Sequence, residues 1–149
     1  MSINNDQELK NALNNLTNDQ QRLMGARFTE SVINLTDNSR LNSALQVALN
    51  PESSIEALND AYKVAKSIAT KTYTACGRDA DWALQAEHFV AAACAAVLTP
   101  AALTTETFNS AWKAAIQARM AKNCMMIESD TGEVENEAEK QYQIASQFI

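Results

Sequence analysis

The stretch that decides the fold runs from Ile55 to Leu98, "IEALNDAYKVAKSIATKTYTACGRDADWALQAEHFVAAACAAVL". Its first half sets Ile55, Leu58, Tyr62, Ala65, Ala69, Thr72 and Cys76 at alternating steps of three and four, the spacing of one face of an α-helix. Its second half does much the same with Trp82, Ala86, Phe89, Val90, Ala93 and Val97. Between them Gly77 suits the left-handed position that closes a helix, and Asp79 stands where the N-cap of the next belongs. The spacing predicts a long alanine-rich helical hairpin with its tip at Cys76–Asp81.

Outward from the hairpin the same period continues. Asp6 to Leu16 carries Leu9, Ala12, Leu13 and Leu16 on one face. Asn18 is a suitable cap for a second helix, which reaches about Leu35 through Leu23, Met24, Phe28 and Val32. Asp37 or Asn38 then caps Ser39 to Leu49, which Asn50-Pro51 ends, because a residue before proline is pushed out of the α region. Ser53 or Ser54 caps the fourth helix, with Glu52 and Glu56 near its positive end. Thr99-Pro100 stops the fifth. Thr104 or Thr105 opens a sixth that reaches about Ile127 through Phe108, Ala111, Trp112, Ala115 and Met120. After the loop "ESDTGE", a last helix runs from Val134 to Phe148 with Ala138, Tyr142 and Ala145 on one side. The expected architecture is an all-α, single-domain antiparallel bundle of six or seven helices spanning residues 1–149.

Composition agrees with that expectation. The 149 residues are 46% hydrophobic, the ordinary globular share, and include only three glycines and two prolines. Each β-hairpin wants its own turn-forming residue, so a many-stranded sheet has too few. A net charge of −6 argues against a phosphate-neutralising nucleic-acid binder and against a basic membrane-surface helix. No run of about eighteen apolar residues is present for a membrane span. "MSINNDQELKNAL" lacks the basic and apolar regions of a secretory signal. Three cysteines without an export signal fit reduced thiols in a cytoplasm.

The chemistry-bearing residues are sparse. His88 is the one histidine, and its helical neighbours Leu84, Gln85, Ala91 and Ala92 are not metal ligands. Glu87, adjacent in sequence, points about 100° away around the helix. Neither the Glu-x-x-His spacing of di-iron bundles nor a His-Glu-x-x-His zinc motif occurs. No nucleophile elbow and no glycine-rich phosphate loop can be built. Cys94 and Cys124 fit best as small core hydrophobes. A non-enzymatic protein without metal or cofactor is therefore expected.

Two faces remain for binding. The hairpin tip offers Arg78, Asp79, Asp81 and Trp82, or is only the joint between two helices. Glu128, Asp130, Glu133, Glu135, Glu137 and Glu139 supply six of the eighteen acidic residues. They form either a solvated loop and helix start or an acidic surface for a basic protein partner. An alanine-rich face left uncovered would also suit a homo-oligomer.

Cys76-Gly77-Arg78-Asp79 with Trp82 resembles the bilin-attachment segment of phycobiliproteins, which are also all-α. That resemblance implies Cys76 as the thioether anchor and Arg78 and Asp79 as pigment contacts. Trp82 falls where that family usually has tyrosine, Gln85 stands in place of a downstream arginine, and the Gly/Pro-rich stretch before the cysteine has no counterpart. The alternative function on this basis is a bilin- or haem-like cofactor held at Cys76, His88 and Trp82. The segment "LTDNSRLNSALQVALNPESSIEALNDAYKVAKSIA" and the closing "NEAEKQYQIASQFI" are similar to Ala-rich helical bacterial toxin-immunity proteins. Asp37, Arg40, Ala44, Leu45, Ala61, Ala65, Glu137, Gln141 and Phe148 are the matching positions. This resemblance implies a protein that occludes a toxin by binding it, with no catalytic residues.

Overall fold

The computed structural model describes residues 2–75, 81–129 and 136–149. Among these the chain forms seven α-helices and no strand: α1 Asp6–Asn14, α2 Asn18–Glu30, α3 Ser39–Leu49, α4 Ile55–Ala75, α5 Trp82–Leu98, α6 Ser110–Ser129 and α7 Glu137–Phe148. Short 3₁₀ turns occupy Ile33–Leu35 and Ala101–Leu103. The protein is an all-α bundle, as its periodicity predicts. Residues 76–80 of the expected tip, Cys76–Asp81, and most of the acidic segment, 130–135, lie outside the described residues.

Side-chain caps decide where the helices start. Thr17, not Asn18, caps α2, in a reciprocal box: Gln20 N–H donates to Thr17 Oγ1 at 3.2 Å and Thr17 N–H to Gln20 Oε1 at 2.9 Å. Asn38 caps α3, its Oδ1 accepting from Arg40 N–H at 3.0 Å. α5 begins at Trp82, and its cap is Asp81, which accepts from Leu84 N–H at 3.1 Å. The expected sixth helix starts late. Asn109 Oδ1 takes Trp112 N–H at 3.0 Å, leaving Thr104 to Phe108 outside α6. Thr104, Thr105 and Thr107 are β-branched, and the Thr104 hydroxyl donates to Ala101 O at 2.8 Å, which favours the turn over the helix. α2 likewise stops at Glu30, short of Leu35. Val32 turns out of the helical region (φ −119°, ψ 5°) while its side chain stays fully buried.

α5 is the centre of the molecule and packs on α2, α3, α4 and α6. Buried residues run almost unbroken from Val90 to Leu98, as expected of a helix covered around most of its circumference. α4 and α5 form the predicted hairpin, His88 meeting Ala69 and the far end of α5 lying near Leu58. Small residues make the close approaches possible. Ala86, Ala91 and Ala93 of α5 and Ala111, Ala114, Ala115 and Ala118 of α6 are fully buried.

The core has two parts. The larger gathers Leu41, Leu45, Ala65, Val90, Cys94 and Ala118 around α5. The smaller joins Leu9 and Leu13 of α1, Met24 and Phe28 of α2, Ala111 and Ala115 of α6, and Ala145 of α7. Each buried Leu or Phe contributes about 1.5–3 kcal/mol relative to exposure. α2 and α6 face both clusters and hold them together.

Candidate functional site

A groove of about 490 Å³ follows one side of α5. Its floor is Ala92, Ala95 and Ala96. Tyr62, Lys66, Thr70 and Tyr73 of α4 form one wall, and Lys113 and Gln117 of α6 form the other. The depth comes from the floor, where methyl groups stand between longer side chains. Phe108 and Thr99 close one end, and His88 and Phe89 line the floor toward the other.

His88 is fixed by the hairpin. Its Nδ1 lies 2.8 Å from the Ala69 carbonyl oxygen. A carbonyl only accepts, so Nδ1 carries the proton and donates. Thr72, beneath it, donates its hydroxyl to Ile68 O at 2.7 Å, and its Oγ1 stands 3.4 Å from the same Nδ1. The imidazole centroid is 5.5 Å from the Tyr73 ring and 5.2 Å from the Phe89 ring, inside the range of favourable aromatic pairs. Tyr73 itself is 72% exposed, so the groove presents a large aromatic face to solvent.

The electrostatics of the groove oppose those of the chain. Lys66 and Lys113 are the formally charged residues of its lining, and neither Asp nor Glu is among them. Glu87, one residue before His88, turns the other way and accepts from Thr36 Oγ1 at 2.6 Å.

The residues expected from sequence fare unevenly. Cys76, Arg78, Asp79, Glu133 and Glu135 lie outside the described residues, as do Asp130 and the side chain of Glu128. Asp81 is exposed and serves as a cap, and Trp82 is half-buried at the first position of α5. Trp82 does not join His88 and Phe89 in lining the groove. Glu137 does not belong to an exposed acidic surface. It is 6% exposed and accepts from Ser31 Oγ at 2.6 Å, with Lys140 Nζ 4.0 Å from its other oxygen. It ties α7 to the end of α2. Of the expected acidic face, Glu139 is the described member that remains exposed. Among the positions carrying the immunity-protein resemblance, Ala44, Leu45, Ala61, Ala65, Glu137 and Gln141 are buried, so they build the fold.

Cys94 is fully buried, and burial pushes its thiol up to about 12. Cys124 is buried near Gln85. Both occupy core positions, as their apolar neighbours predict. Among the described residues no group of three His, Cys, Asp or Glu side chains is placed to hold a metal ion, and no helix is long and apolar enough to cross a membrane.

The groove residues that sequence reasoning missed include Tyr62, Lys66, Tyr73, Phe108, Lys113 and Gln117. A signal existed for α4: Tyr62, Lys66, Thr70 and Tyr73 fall at steps of four, four and three, one helical stripe that leaves the predicted core face at Tyr62. Phe108 carried none, because its place depends on the late start of α6. Comparisons with protein-family models, with curated proteins and with solved structures give no match to this chain.

Proposed function

We propose that this is a binding protein whose receptor face is the α5 groove and whose partner is a protein presenting an acidic segment with aromatic or aliphatic side chains. The observation that carries the reading is the groove's lining: an alanine floor, two tyrosines on the α4 wall, Phe108 at one end and positive charge alone, on a chain of net charge −6. Exposed aromatic rings beside a hollow are what interface anchors are made of. Lys66 and Lys113 at the rim supply attraction and orientation for carboxylates, an effect on association rate more than on affinity. The two cations also make the groove a better candidate than the acidic segment, of which Glu137 is spent within the fold. Occlusion of a toxin, which the sequence resemblance implies, is one specific form of this activity.

The test is site-specific photo-crosslinking in the native host from Gln117 and Tyr73, on opposite walls. Both positions should capture the same protein, and Lys66→Glu with Lys113→Glu should abolish capture while circular dichroism and melting temperature stay unchanged. Undiminished capture by the charge-reversed protein would sink the reading.

A further inference from the structure

A second hollow, of about 520 Å³, lies past the Thr99 and Phe108 end of the groove, where the close of α5 and the following loop meet the starts of α2, α4 and α6. Arg22 lines it and is 7% exposed. Its guanidinium makes one hydrogen bond, from Nη2 to the Asn50 carbonyl at 3.3 Å. Its Nε is buried with no partner, and none of the ion pairs among the described residues involves it. Asp19 and Glu106 line the same hollow but are exposed.

Several other polar groups of the hollow are already satisfied. Thr99 donates to Ala95 O at 2.7 Å and Thr104 to Ala101 O at 2.8 Å. Gln21 donates to Leu16 O and accepts from Ser110 N–H, both at 3.2 Å. Arg22 stands apart from this arrangement. A buried cation facing its own fold with one neutral acceptor is a feature that folded proteins avoid unless something else meets the charge. Beside it, Leu58, Leu98 and Phe108 give the hollow an apolar wall. Its volume lies within the roughly 300–1,000 Å³ of small-molecule sites.

We propose that this hollow binds a small organic anion, its oxyanion head paired with Arg22 and its apolar body lying on Leu58, Leu98 and Phe108. A guanidinium carries a fork of N–H donors that fits carboxylate and phosphate alike. The site does not depend on the groove having a protein partner.

The experiment follows, by NMR, the Arg22 Nε–H resonance together with the backbone amides of Thr99 and Phe108, which report in every variant, during separate titrations of the protein with benzoate, phenyl phosphate, acetate and inorganic phosphate. Benzoate or phenyl phosphate should shift these resonances saturably, each more tightly than its bare head group, and which of the two binds identifies the head. Arg22→Met should weaken binding by about tenfold or more. Leu58→Glu, which keeps Arg22 and places a competing carboxylate in the hollow, should weaken it comparably, so the outcome does not hang on one variant folding. The absence of a saturable shift with any of the four anions overturns the proposal. So does unchanged affinity in both variants, and equal affinity for acetate and benzoate removes the apolar body's part.

Discussion

Asp6 accepts from Arg119 Nη1 at 3.1 Å, from Arg119 Nη2 at 2.8 Å and from the Tyr142 hydroxyl at 2.8 Å. Arg119 also donates through Nε to Gln141 Oε1 at 2.8 Å, and fully buried Gln141 donates to Ala115 O at 2.9 Å. Four side chains thus link α1, α6 and α7. The Arg119 hydrogen bond holds the Asp6 carboxyl below its ordinary range, while desolvation and the bond to Asp6 raise the Tyr142 phenol. The two shifts act at opposite ends of the pH scale. A lowered carboxyl value stabilises the fold above the ordinary carboxylate range and is lost as pH falls through the lowered value; a raised phenol stabilises below the ordinary tyrosine range and is lost as pH rises through the raised one. Asp6→Asn should therefore flatten the acid limb of a melting-temperature profile and cost about 1 kcal/mol or less near neutrality, since Asp6 is half-exposed. An acid limb as steep as that of the unaltered protein would refute this assignment. Cys94 should react with a thiol reagent only as fast as the protein unfolds, because its thiol is both buried and un-ionised; fast labelling under native conditions would contradict its placement.

At the scale of elements, Gly25 shows what the helix crossings require. A Cβ there would overlap Val97 Cγ1 and press on Ala111 Cα at 3.1 Å, so a methyl group has no room where α2 meets α5 and α6. On an exposed helix, Gly→Ala gains roughly 1 kcal/mol; here Gly25→Ala should instead lose about 1–3 kcal/mol through overpacking, read by chemical denaturation. A gain would mean that the crossing is looser than described. Asn109→Ala should cost about 1 kcal/mol through the lost cap of α6, whereas Thr105→Ala should cost little. That contrast marks the boundary of what was legible beforehand. The core face of α4 from Leu58 to Thr72, that of α5 from Ala86 to Val97, the stop at Asn50-Pro51 and a cap at Asp37 or Asn38 could be read from local spacing, because buried faces repeat with the helical period; Ile55, placed on the same face of α4, is instead 79% exposed. The start of α6 could not, since Thr104, Thr105 and Asn109 are all acceptable caps and tertiary packing chooses among them. Nor could the fate of Glu137, whose partner Ser31 lies far away in sequence, or that of Arg22, whose isolation depends on where four helix ends converge. The groove fell between these cases: the Tyr62–Tyr73 stripe was visible, but not the opposing wall that makes it a hollow.

For the molecule as a whole, the decisive arrangement is that α2 and α6 serve both core clusters. Leu45→Ala lies in one and Leu13→Ala in the other, and each is fully buried. Each should cost about 2–5 kcal/mol, and each should shift the denaturation midpoint by the same amount whether followed by Trp112 fluorescence in a Trp82→Phe background or by far-UV circular dichroism. A Leu45→Ala protein in which the Trp112 transition stays put would show that the halves unfold separately. The central position of α5 also has a consequence for how the chain is made. Its neighbours α2, α3 and α4 precede it in sequence, but α6, which covers a whole side of it, is complete only when Ser129 has been added. Until then a growing chain carries the run from Val90 to Leu98 with one flank bare. The exit of α6 from the ribosome is therefore the event that ends the interval in which this protein is most prone to stick to other nascent chains.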